Sequence, residues 1–173
     1  ARLHWNPDLD VDAVVDDYCQ SGFGAAADSV KRYFMRIEEL TNEIAAASPT
    51  LHPTTPYTSE VIEQLRSILD EADCQALAPK PRARIAFLRR GLEYTEVHVS
   101  AYHLLTEFDE GGRKMTPELK MRVTATLNRN WELSREILLK DFKAINVSRV
   151  AWGGWGNFNR LGWKSPTALK VVK

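Results

Sequence analysis

The stretch from Pro81 to Phe108 constrains the fold of this chain most. After Pro81 it holds no proline and a single glycine, Gly91, and its apolar residues recur at helical spacing on two sides. Ile85, Leu88, Leu92, Val99 and Tyr102 make one stripe; Phe87, Tyr94, Leu105 and Phe108, continued by the small Gly91 and Ala101, make the other. The spacing predicts one helix of about 28 residues and about 42 Å. A helix apolar on two sides has to be covered on two sides, so this segment is expected at the centre of a helical module.

Proline and glycine divide the remainder into four further helical stretches. Asp10 is a good N-cap, and Val11, Val14, Val15 and Tyr18 follow at i, i+3, i+4 and i+7, which predicts one inward face. Gly22 and Gly24 break the chain around Phe23. A second helix is expected from about Ala26, burying Val30, Tyr33, Phe34, Ile37, Leu40 and Ile44 and ending at Ser48-Pro49. Thr58 or Ser59 caps the third, with Val61, Leu65, Ile68, Leu69 and Ala72 inside. Beyond the turn Glu110-Gly111-Gly112-Arg113, Thr116-Pro117-Glu118 reads as N-cap, first-turn proline and early acid. Leu119, Val123, Leu127, Trp131, Ile137, Leu138, Phe142 and Ile145 then recur every three or four residues or so. Two long helices joined by so short a turn are expected to pack antiparallel. The reading is all-α: a five-helix, bundle-like module over residues 1–173 with an irregular Trp/Gly-rich tail over residues 146–173.

At 173 residues the chain fits one domain with a substantial core. Lys plus Arg equals Asp plus Glu, 23 each, so no overall field points to nucleic acid. The charge is uneven, however: Asp8, Asp10, Asp12, Asp16 and Asp17 crowd the first twenty residues, and Arg149, Arg160, Lys164, Lys170 and Lys173 the last twenty-five. No apolar run is long enough for a transmembrane helix. Cys19 and Cys74, the only cysteines, read as small buried apolar residues, with a single bridge between them as the alternative.

The common signatures of nucleotide-binding loops, metalloproteases, serine hydrolases and zinc ribbons are missing, and no catalytic residue, metal site or cofactor is expected from residue types. Glu96, His103 and Glu107 share a helix face by spacing, but the Glu-x-x-His pairs of a di-metal bundle are absent, and solvated side chains are the expectation. His98, between Val97 and Val99, reads as a core or boundary histidine. Lys80, Arg82, Arg84, Arg89 and Arg90 read as a solvated face or as contacts to acidic helices. Trp152, Trp155 and Trp163, set among glycines with Asn157, Asn159 and Arg160, are the candidate ligand-binding residues. Indole faces with amides and a guanidinium suit a sugar surface, and the same rings suit packing on the core or on a neighbour.

The opening Leu3-His4-Trp5-Asn6-Pro7-Asp8-Leu9-Asp10-Val11-Asp12, with Tyr18, Gly22-Phe23-Gly24 and Ala25-Ala26-Ala27 after it, resembles a junction in a bacterial glycoside-hydrolase-like family of largely unknown function. Its members carry an α-glucuronidase-like or hexosaminidase-like (β/α)8 barrel followed by a helical C-terminal region, and the resemblance covers about residues 1–40. It implies that residues 1–9 are a junction from an upstream barrel, that the parent acts on carbohydrate, and that it is exported. A barrel's catalytic carboxylates sit at the ends of its strands, and none of those strands is in this sequence. The chain is therefore expected to be a non-catalytic accessory module, bracing the barrel or mediating dimerisation. The rival is an independent module that holds a polysaccharide or a protein through the Trp-rich tail.

Overall fold

The computed structural model describes residues 10–47 and 54–140. Helix α1 spans Val11–Phe23, α2 Ala27–Ala47, α3 Ser59–Gln75, α4 Pro79–Glu110 and α5 Pro117–Lys140, and a short 3-10 turn, Gly24–Ala26, leads from α1 into α2. No strand occurs among the described residues, so the described fold is all-α. No described helix is long and apolar enough to cross a membrane. The junction residues 1–9 and the tail 146–173 lie outside the described residues. Contacts group the chain into two compact units, one up to Leu92 and one from Glu93, and α4 contributes to both.

In the first unit the caps are those the sequence promises. Asp10 accepts a hydrogen bond from the Asp12 amide at 3.0 Å, and the Thr58 hydroxyl accepts one from the Val61 amide at 3.3 Å. Gly24 closes α1 with φ +57, a region where a side chain is strained. The buried face of α1 differs from the expected one. Val11 and Tyr18 are each 55% exposed, whereas Cys19 and Phe23 are buried, so the inward line is Val15, Cys19 and Phe23. Phe23 sits among Ala26, Ala27, Ala72 and Ala76, with Val30 and Ile85 beside them. Four short side chains around one large ring let the helix backbones approach closely there.

A second cluster joins Tyr33 and Leu40 of α2, Ile62, Leu65 and Leu69 of α3, and Leu92 of α4. Phe34, Ile37, Val61 and Ile68, all expected inside, pack against it half-buried, and Ile62 is buried although the stripe read from sequence omitted it. Burial pushes the Tyr33 phenol up to about 12.

Between α2 and α3 lies a polar link. Ser29, 1% exposed, shares its hydroxyl proton between Glu71 Oε1 at 3.1 Å and Gln75 Oε1 at 2.9 Å, and accepts from Arg32 at 3.0 Å. Arg32 also pairs with Glu71 at 2.6 Å. The Arg32 guanidinium, and next the Ser29 hydroxyl, hold the Glu71 carboxyl below its ordinary value of 4.5. A carboxyl depressed in the folded state adds stability above its unfolded value and loses it as the pH falls through the lower folded value. Glu71→Gln is therefore expected to flatten the acid side of the stability–pH curve below about pH 4.5, read by urea melts across that range. An unchanged acid limb would mean that the link carries no stability.

The second unit is a helical hairpin. Thr116 accepts from the Leu119 amide at 3.1 Å and Pro117 takes the first helical position. The turn places Gly112 at φ +70 and Arg113 at φ +62, and the Arg113 amide returns to the Phe108 carbonyl at 2.8 Å, closing the end of α4. Phe108, Leu105, Leu104 and Ala101 pack with Leu119, Val123 and Leu127, while Tyr94 packs with Leu133 and Ile137. Early residues of one helix meet late residues of the other, so this part of α4 and α5 run antiparallel. Two ion pairs follow the same order, Glu107 with Arg122 at 2.9 Å and Glu93 with Arg129. Trp131 is only half-buried; Asn130 and Leu133 are each 1% exposed, Asn130 accepting from the Ser134 hydroxyl at 3.3 Å. Phe142 and Ile145 lie outside the described residues.

The buried apolar residues of α4 divide along its length and not by stripe, Tyr102 of the first stripe packing with Ala101, Leu105 and Phe108 of the second. Ile85, Leu88 and Leu92 belong to the clusters of the first unit, and Tyr94, Ala101, Tyr102, Leu105 and Phe108 to those of the second. Phe87, placed on an apolar stripe by its spacing, is 38% exposed.

Candidate functional site

The outward face of α1 and one arginine of α4 form a shallow groove of about 400 Å³, lined by Val14, Asp17, Tyr18, Ser21, Gly22 and Arg84. The sequence positions it in two ways. Turning Cys19 and Phe23 inward turns Tyr18 and Val14 outward, because residues one position apart on a helix point about 100° apart. The end of α1 at Gly24 leaves the carbonyls of its last turn without helical partners, and Arg84 answers one of them, its Nη1 donating to the Gly22 carbonyl at 2.5 Å. The Tyr18 ring is edge-on to Phe23 at 5.9 Å and tilted against Phe34 at 6.1 Å. Ser21 donates to Asp17 Oδ1 at 3.4 Å. The groove therefore offers an aromatic wall, a carboxylate, a hydroxyl and a guanidinium within one concavity.

Of the basic cluster of α4, Arg82 and Arg84 hold helix ends and Arg89 holds the flank of α3. Arg82 donates from Nε to the Ala76 carbonyl at 2.8 Å, just past the end of α3. Arg89 pairs with Asp70 and reaches the Leu69 carbonyl at 3.3 Å. At the C-terminal ends of helices, Arg82 and Arg84 meet both orphan carbonyls and the negative pole of the helix dipole.

Glu96, His103 and Glu107 do not assemble a site: Glu96 is half-buried, His103 is exposed, and Glu107 accepts from Arg122. Among the described residues no group of three or more His, Cys, Asp or Glu could hold a metal ion. His98 is a boundary histidine set in a ladder of rings at i, i+4 spacing, stacked on Tyr94 at 6.0 Å and edge-on to Tyr102 at 5.0 Å. Tyr94 is buried, which pushes its phenol up to about 12.

Both cysteines are free, and Cys74 is exposed, against the expectation that both are buried. Ala72 and Ala76 take the inward side of α3, and Cys74, two residues from each, falls on the opposite side. Burial, then the nearby Asp16 charge, raises the Cys19 thiol above its ordinary value. Trp152, Trp155 and Trp163 lie outside the described residues.

Comparison with protein-family models, with curated proteins and with solved structures finds no match. Sequence reasoning missed the groove because it had turned Tyr18 inward. The available signal was Phe23, whose position just before a glycine and a run of alanines marks where the chain closes on itself.

Proposed function

We propose that the chain is a non-catalytic helical module of a carbohydrate-active, glycoside-hydrolase-like protein, and that it braces the (β/α)8 barrel preceding it. In this reading α1–α5 make up a five-helix, bundle-like support that includes the antiparallel pair, and the Trp/Gly-rich tail packs on the bundle or on the neighbouring domain. The parent is exported, and a second copy of the chain is the other partner a bracing module takes.

The observation that carries the reading is the use made of charged side chains. Arg82, Arg84 and Arg89 close helix ends or bind Asp70, Arg32 and Glu71 link α2 to α3, and Arg122 and Arg129 bind Glu107 and Glu93 across the hairpin. Acids and bases spent on joining helices favour a supporting part over a reacting one, because a general acid or base has to face substrate at hydrogen-bond distance. The resemblance at the junction supplies the carbohydrate context.

Two measurements test it. The chain by itself, assayed on aryl glycosides and uronic-acid oligosaccharides, is expected to show no turnover; turnover abolished by substituting one of its own residues would overturn the reading. The barrel expressed with this module is expected to melt higher than the barrel alone, since a partner that binds only the folded state stabilises it. Equal melting temperatures would remove the bracing role.

A further inference from the structure

We propose that the groove on α1 is the seat of the chain's own opening segment, residues 3–9, which returns along α1 as an extended strap. In this arrangement Leu9 lies on Val14, Pro7 on Tyr18, and Trp5 beside Arg84. The inference goes beyond the bracing role and stands without it. Residues 1–9 lie outside the described residues, and four observations carry the proposal.

The first is an apolar line that faces away from the core. Val11, Val14 and Tyr18 stand at i, i+3 and i+7, on one side of α1. Val11 and Tyr18 are 55% exposed and Val14 is half-buried, because Cys19 and Phe23 take the inward side. Phe23 and Phe34 hold the Tyr18 ring from the protein side, so the platform exists before anything lies on it and little side-chain freedom is lost on docking. Three apolar residues in line along a groove are a face that wants an apolar cover.

The second is the pattern of the segment itself. Leu3, Trp5, Pro7 and Leu9 alternate with Arg2, His4, Asn6 and Asp8. In an extended chain a period of two puts the apolar four on one side and the polar four on the other. Pro7 favours that extended conformation, both by its own fixed φ and by restricting Asn6 before it.

The third is the entry into the helix. Asp10 is the N-cap of α1, with extended backbone at φ −62 and ψ 115. Leu9 therefore precedes the cap and Val14 is the fourth helical residue, the two positions that close a hydrophobic staple and set the angle at which a chain enters a helix. A staple here turns the preceding chain onto the side of α1 that carries Val14.

Reach is the fourth. From Leu9 to Trp5 an extended chain covers about 13 Å, and from Val14 to Gly22 a helix rises about 12 Å. Trp5 thus arrives where Arg84 is fixed on the Gly22 carbonyl, and a guanidinium suits an indole face. The tether also favours this occupant over a free ligand or a second copy, because a joined segment acts at an effective concentration of about a millimolar or more.

The test uses the full chain labelled with fluorotryptophan. Its five indoles give five fluorine resonances, and the one lost in Trp5→Phe belongs to Trp5. That resonance is expected away from the position of the free amino acid. Tyr18→Ala is expected to return it there, as is Ser21→Arg, which fills the groove from an exposed position. Nuclear Overhauser contacts from the Trp5 ring to the Arg84 side chain, and from Leu9 to the Val14 methyls, are expected in the unsubstituted chain; they decide the matter if either variant changes the circular dichroism. The proposal is overturned by a Trp5 resonance at the free position in the unsubstituted chain, or by one that stays shifted in folded Tyr18→Ala or Ser21→Arg. Contacts of Leu9 and Trp5 to other parts of the chain also overturn it. Contacts that fade on tenfold dilution would make a second copy the occupant, and overturn it as well.

Discussion

Phe23→Ala is expected to lower the free energy of unfolding by about 3–5 kcal/mol, the upper part of the range for core truncations. The reason lies in the neighbours. Phe23 is 1% exposed in a cluster with Ala26, Ala27, Ala72 and Ala76, side chains with no rotamers to swing into the space it leaves, so that only Val30, Ile85 and the Tyr18 ring can fill part of it. A cavity that collapses only in small part keeps most of its cost. Phe23→Leu should recover a good part of the loss, because it refills most of the volume. Urea denaturation of both variants checks this, and a loss below about 1 kcal/mol for Phe23→Ala would mean that the α1–α2 corner is not packed as described.

Leu92→Ala is expected to cost about 2–5 kcal/mol, at the lower end of that range. Leu92 is 3% exposed and lies with Tyr33, Leu40, Ile62, Leu65 and Leu69. Those are long side chains with several rotamers, so the hole closes in part. The comparison with Phe23→Ala is the sharper measurement, because it contrasts two sites of similar burial whose linings differ in their freedom to relax. Leu92→Ala costing more than Phe23→Ala would contradict the argument from cavity collapse, and a cost below about 0.5 kcal/mol would place Leu92 at the surface.

Much of the helical architecture was legible because it is written in local chemistry. Asp10, Thr58 and Thr116 cap where hydroxyl or carboxylate side chains precede an apolar run, Pro117 opens α5, and Gly112 marks the turn after α4. Phase was harder. Val11, Val14, Val15 and Tyr18 keep perfect helical spacing, yet so do Val15, Cys19 and Phe23, and periodicity alone does not say which line faces the core. The second line wins because it ends on a ring with no polar group and meets the alanines that admit it. Buried polar residues escaped for a related reason: Ser29 and Asn130 are both 1% exposed, and a hydrophobic count passes over them.

The groove and the arginine contacts were illegible for a different reason. Arg84 meets a backbone carbonyl sixty-two residues away, and every residue type has a carbonyl, so no side-chain pattern could announce the partner. The aromatic tail was legible as chemistry only, and Trp152, Trp155 and Trp163 keep that standing.

The bond between Arg84 and Gly22 also has a bearing on how the chain comes into being. A ribosome releases residues in order, and domains gather as their parts emerge. Helix α1 leaves ahead of α2, α3 and α4, with a last turn whose Gly22 carbonyl still awaits the Arg84 guanidinium. Its partner guanidinium is made sixty-two residues later, after α2 and α3 have been synthesised, together with Ile85, which completes the cluster around Phe23. The closing of α1 is therefore a late event in the life of the nascent chain. Until α4 appears the first three helices are an unfinished assembly, with Phe23 and its alanines still open to whatever apolar surface passes by.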